Sequence, residues 1–142
     1  GVSAAARADK MLTPLHMAAC KGHVAAIKVL VEAGASVEAR DDEMVTPLHV
    51  AAGQGHANTI KVLTEAGALV EAQTDVMATP LHMAAFGGHT DAIKALLFAG
   101  ASVEARTDKM PTPLHMAAQG GHAVAIKALV GAGGGVGGGG RV

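Results

Sequence analysis

Aromatic residues are nearly missing from this chain: two Phe, no Tyr and no Trp in 142 residues. Without aromatic platforms, stacking recognition of single-stranded nucleic acid is excluded. Half of the residues are hydrophobic even so, which leaves Ala, Val, Leu, Ile and Met as the apolar material. So light a set suits thin, closely packed elements better than one deep core. A basic excess is missing too. Eleven Lys+Arg stand against twelve Asp+Glu for a net charge of −1, whereas nucleic acids and anionic membranes usually select a basic surface. One cysteine, Cys20, cannot form an internal disulfide, so oxidising export is not implied and an intracellular, cytoplasmic setting is expected. The longest uncharged apolar run, Ala95 to Val103, is roughly half of the ~20 residues that span a bilayer, so no direct membrane insertion is expected. No signal-peptide pattern is present.

What the chain does have is repetition. Thr-Pro-Leu-His occurs at Thr13–His16, Thr46–His49, Thr79–His82 and Thr112–His115, always 33 residues apart. Paired alanines return in register at Ala18-Ala19, Ala51-Ala52, Ala84-Ala85 and Ala117-Ala118. Gly22-His23, Ile27-Lys28 and Ala33-Gly34 recur in the same way. Fixed-period self-similarity of this length marks a solenoid.

Each unit has a physical reading. Thr13 suits a helix N-cap, and Pro14 suits the first helical position, where its missing N–H costs nothing. Leu15, Ala18 and Ala19 give an apolar stripe at helical spacing. Gly22 ends this short helix. A second helix is expected from about His23 to Ala33, with Val24, Ile27, Leu30 and Val31 buried and Gly34 at its C-terminus. Residues 35–45 form an extended, polar connection. Two helices this short cannot bury their apolar faces alone, so the units must stack.

The period and the Thr-Pro-Leu-His-x-Ala-Ala-x-x-Gly-His pattern resemble the ankyrin repeat. The resemblance implies an all-α repeat solenoid of helix-turn-helix units with projecting β-hairpin loops, curved so that its concave side binds proteins. The expected division is 1–12 as the end of a preceding repeat, 13–45, 46–78 and 79–111 as full repeats, 112–136 as an incomplete fourth, and 137–142 as a Gly-rich tail. Gly1–Arg7 aligns with Gly34–Arg40, so the chain is expected to be a fragment of a longer array. Alone it is expected to be monomeric.

Two departures from the family stand out. Met11, Met44, Met77 and Met110 sit where many ankyrin repeats have Gly, so the hairpin turn is expected to differ from the usual geometry. The Met side chains are expected to pack between successive loops. Glu38, Glu71 and Glu104 stand where the family often has an Asn that ties the hairpin together. Glu38 beside Arg40 suggests weak ion pairs along the loops.

Chemical sites fare poorly. The eight histidines are two repeat positions counted four times, with no Cys or carboxylate cluster recurring beside them, and no metal or cofactor is expected. They are read as hydrogen-bonding members of the motif and adjacent loops. Cys20 has Lys21 beside it and His16 one turn earlier, the kind of neighbours a nucleophilic thiol needs. No third group orients them, and the same position holds Gly53, Phe86 and Gln119 elsewhere. No catalytic residue is assigned. The tail glycines lack the strand and Lys-Ser/Thr of a phosphate loop. The ladder Lys28, Lys61, Lys94 and Lys127 reads as a solvated helix face.

Residues that vary between units are free to encode a partner. In the loops these are Arg40, Asp42, Glu43, then Gln73, Asp75, Val76, then Arg106, Asp108, Lys109. On the first helices they are Gln54, Phe86 and Gln119. Phe86 is either an interface anchor or a filler of the space left by Gly53 or Gly87. The expected function is a non-catalytic protein–protein interaction module with a protein partner and no nucleic acid. The rivals are a recognition segment of a larger enzyme, channel or effector, and a structural subunit of a large complex.

Overall fold

The computed structural model describes residues 12–105, 109 and 111–135. Met11, Arg106, Asp108, Met110 and the expected Gly-rich tail therefore lie outside the described residues, as does nearly all of the expected preceding repeat.

Among the described residues, eight helices follow in four pairs. The first helices are α1 (Pro14–Lys21), α3 (Pro47–Gln54), α5 (Pro80–Phe86) and α7 (Pro113–Gln119). The second helices are α2 (Val24–Glu32), α4 (Ala57–Glu65), α6 (Thr90–Phe98) and α8 (Ala123–Gly131). Each first helix packs on its own second helix, on the first helix of the next unit, and so on along the stack; the second helices do the same. Two helical layers result, as the repeat requires.

Each first helix starts where Thr-Pro directs it. The Thr46 side chain accepts from the His49 amide and the His49 ring closes the box from the other side, with Pro47 in the first turn. Thr13 and Thr79 form the same capping box. Such a cap stabilises its helix by about 1 kcal/mol. The first helices end on left-handed glycines, Gly22 at φ 72° and Gly55 at φ 78°. In the third and fourth units the left-handed residue is the second of two glycines, Gly88 and Gly121.

The core runs along the stack and not into a single centre. Leu15, Leu48 and Leu81 are buried with the alanine pairs on the first-helix layer, and Ile27, Ile60, Ile93 and Leu129 are buried on the second. Each such Leu or Ile contributes roughly 2 kcal/mol of burial. The alanines bring neighbouring backbones close, which explains how so light a composition makes a solid stack.

Among the described residues there is no β-strand. The projecting loops are nevertheless closed fingers. The Asp41 amide donates to the Val45 carbonyl at 3.0 Å and the Met44 amide to the Asp41 carbonyl at 3.0 Å. The next finger repeats this with Thr74, Met77 and Ala78. Met44 and Met77 lie at φ 66° and 67°. The expectation of a different turn is thus corrected: the left-handed geometry that glycine supplies is kept, with methionine forced into it. The remaining hydrogen bonds of the finger are strong enough to impose it. Asp41 Oδ1 accepts from the Glu43 and Val45 amides at 2.8 and 2.9 Å. Thr74 Oγ1 does the same for Val76 and Ala78.

Candidate functional site

Six of the eight recurrent histidines are taken by the scaffold. In the first series, His49 Nδ1 accepts from the Thr46 amide at 3.1 Å, so its proton sits on Nε2, which donates to the Ala78 carbonyl of the following finger at 2.9 Å. His16 reaches the Val45 carbonyl and His82 the Pro111 carbonyl in the same manner. Burial pushes His49 down from 6.5 to about 4, and His82 is lowered for the same reason. Both are held neutral. The second series points the other way. His56, His89 and His122 donate from Nε2 to the Cys20, Gly53 and Phe86 carbonyls of the preceding unit, at 2.9, 3.0 and 2.9 Å. Their rings lie over Gly22, Gly55 and Gly88, where any Cβ would sit within 2.8 Å of a ring atom. This backward ladder is not visible in the motif alone; the signal for it is the glycine that always precedes the histidine.

The glutamates form a third ladder. Glu38 Oε2 accepts from the Leu69 amide at 2.6 Å, Glu71 from Ser102 at 2.6 Å, and Glu104 from Gly135 at 2.9 Å. A Glu reaches the next unit where a shorter side chain would bond within its own. The expected Glu38–Arg40 pairing is replaced by backbone partners: Arg40 Nη1 donates to the Met44 carbonyl at 3.0 Å and the Gln73 carbonyl at 3.2 Å. The Asp75 amide adds a bond to the Glu43 carbonyl at 3.0 Å. The first two fingers are therefore one braced edge.

Against this frame the variable residues fall clearly. Asp42, Glu43, Gln73, Asp75 and Val76 are exposed along the finger edge, and Lys109 is exposed in the third loop. Gln54, Phe86 and Gln119 are exposed on the first helices. Arg40 is half-buried and serves as the strut just described. Phe86 is 56% exposed, and the side chain nearest the space above Gly53 is Met83, with a contact of 3.8 Å. Phe86 therefore does not fill the gap at Gly53.

Both nitrogens of His16 are committed, to Thr13 and to the Val45 carbonyl, so it is not free to activate the half-buried Cys20. The carboxylates of Asp41, Asp42 and Glu43 lie within 4.8 Å of one another, and the closing of the turn by Asp41 accounts for part of that crowding. Lys28, Lys61, Lys94 and Lys127 are all exposed on the second helices, as a solvated face requires. Among the described residues, no helix is long and apolar enough to cross a membrane.

The comparison with curated proteins gives no match. The family model for ankyrin repeats (3 copies) matches residues 2–74 and again residues 68–137. Those two spans take in every helix pair and both histidine ladders, and the chain belongs to the ankyrin-repeat family.

Proposed function

We propose that this chain is a non-catalytic protein-binding scaffold whose partner contacts the finger edge and the exposed face of the first helices. Ankyrin repeats are in general protein–protein interaction modules and typically not catalysts. Four units, bounded at residues 13, 46, 79 and 112, are the working division. One observation carries the reading. The repeated His and Glu side chains at the junctions are taken up by internal bonds and the repeated Leu and Ile are mostly buried. On the fingers and first helices, by contrast, those that differ, Asp42, Glu43, Gln54, Asp75, Val76, Phe86 and Gln119, are exposed; the repeated lysines are exposed on the opposite layer. Because the fingers are braced, association orders few side chains, which limits the entropic cost of binding.

The test begins with a partner recovered by pull-down with the whole chain. Phe86→Ala is expected to weaken that partner by about tenfold or more, the cost of removing a central aromatic. Charge reversal at Asp42 and Asp75 should slow association and alter its salt dependence. Unchanged affinity in all three variants, with loss on Lys28→Glu and Lys61→Glu, would place the partner on the opposite layer and refute the assignment.

A further inference from the structure

The opposite layer carries a feature that the repeat does not call for. A hollow of about 760 Å³ lies between α4 and α6. Its rim holds Phe98 and Leu69, which are 92% and 59% exposed. Both break the repeat in the same direction. Phe98 stands where the other units have Glu32, Glu65 and Gly131. Leu69 stands where they have Ser36, Ser102 and Gly135. At both places a polar or absent side chain has become a large apolar one that buries little within its own chain. Ala95 lines the hollow, a small side chain where the first two units have Val29 and Val62 and the fourth has Ala128.

The charges around the hollow decide its occupant. Lys61 and Glu65 come from α4, and Asp91 and Lys94 from α6. A site for a strongly charged partner would show one sign. This one shows two of each, together with an apolar knob beside an apolar hole. A patch that carries both halves of a contact is the requirement for an isologous interface, in which each copy offers the same surface to the other. The geometry points to a second copy of this chain as the occupant, with Phe98 of each copy seated in the Ala95 hollow of the other and each lysine brought near the other's carboxylates. This interface lies on the second helices, so the finger edge and Phe86 stay open on both copies and partner binding becomes bivalent.

Sedimentation or light scattering of the whole chain from about 5 to about 500 µM tests this. The expected result is a mass rising from 14.0 kDa toward twice that value. Phe98→Glu installs the residue of the first two units, and Leu69→Ser that of the first and third. Each should weaken self-association roughly 30-fold. Helical circular dichroism and the unfolding midpoint, read at the lowest concentration, should not change in Phe98→Glu, because the ring is 92% exposed. A wild-type mass that stays at 14.0 kDa throughout overturns the inference. So does association that survives Phe98→Glu, or that is lost instead on Phe86→Ala, which would move the contact to the first helices. Neither failure touches the reading of the finger edge, which is judged by partner affinity alone.

Discussion

Methionine in the left-handed region, at φ 66° in the first finger and 67° in the second, is strained backbone. An L-residue with a Cβ loses roughly 1–2 kcal/mol in the left-handed region. Glycine avoids that loss but leaves the unfolded chain about 0.5–1 kcal/mol more entropy to surrender. Met44 is 44% exposed, so truncating it forfeits part of a methionine's burial, about 1 kcal/mol, and that loss is common to Gly and Ala. The balance predicts that Met44→Gly is about 0.5–1 kcal/mol more stable than Met44→Ala, or about 2–3 °C in the unfolding midpoint. Met44→Ala separates the contributions, since it removes the side chain and keeps the strain. It should be destabilising by about the lost burial. With no Tyr or Trp in the sequence, helical circular dichroism in urea is the natural assay, with the slope m held constant across variants.

Glu43, one residue earlier in the same turn, provides the reverse case. It is exposed, and its φ is not positive. There Gly should be less stable than Ala, by about 0.5–1 kcal/mol. If Gly and Ala prove equal at Met44, or if Gly is better than Ala at both positions, the strain argument fails.

The buried histidines predict a pH dependence. His49 binds a proton at 6.5 when unfolded and at about 4 when folded. Between those values the unfolded state holds more protons, so stability rises with pH; it is complete above 6.5 and falls as pH drops toward 4. The span corresponds to about 3 kcal/mol from His49, with His82 adding in the same direction. Urea midpoints at pH 7.5 and 4.5 measure it, and equal midpoints would refute the neutral, backbone-bonded assignment. Two glycines test the second ladder. Gly55→Ala would set its Cβ 2.6 Å from His89 Nδ1 at a φ of 78°, whereas Gly67→Ala at φ 102° meets nothing within 4 Å. Gly67→Ala should cost only the backbone strain, about 1 kcal/mol, and Gly55→Ala at least twice that. Equal costs would show that the ring is not held over Gly55.

The helices were open to reading because their determinants are local. Thr-Pro at the start, Gly at the end and an apolar stripe between them act within eight or nine residues, and the observed bounds lie within about one residue of those expected. The direction of the histidine bonds was half legible. His49 shares a motif with Thr46, so a bond near its own helix is foreseeable. The partner of His89 is a carbonyl 36 residues earlier, and no pattern of side chains specifies a carbonyl. Glu38 was misread for the same reason: its neighbour Arg40 is close in sequence, but the amide of Leu69 is closer in space. At the finger turn, propensity argued against a left-handed Met44, and tertiary bonds to Asp41 overrode it. Of the candidate site residues, the exposed ones were legible as departures from sameness. Leu69 was missed although the same comparison, Ser36 against Leu69 against Ser102, would have found it.

The two histidine ladders also explain why the variable residues can vary. Each interior unit is tied backward through His at the start of its second helix and joined to its neighbour's loop by a Glu38-type bond, while His at the start of its first helix holds its own loop where the next unit begins. A bond of this kind contributes about 1 kcal/mol net, and losing one partner leaves a buried carbonyl unpaired at a larger cost. Two backbone-directed side chains per junction therefore fix the register of the stack without using any residue on the finger edge. A carbonyl is the same acceptor whatever side chain its residue bears. His56 bonds the carbonyl of Cys20, His89 that of Gly53 and His122 that of Phe86. Those three residues have nothing in common except their place. The scaffold's own geometry thus passes beneath the partner-facing positions, and substitution there alters the surface while leaving the stack intact.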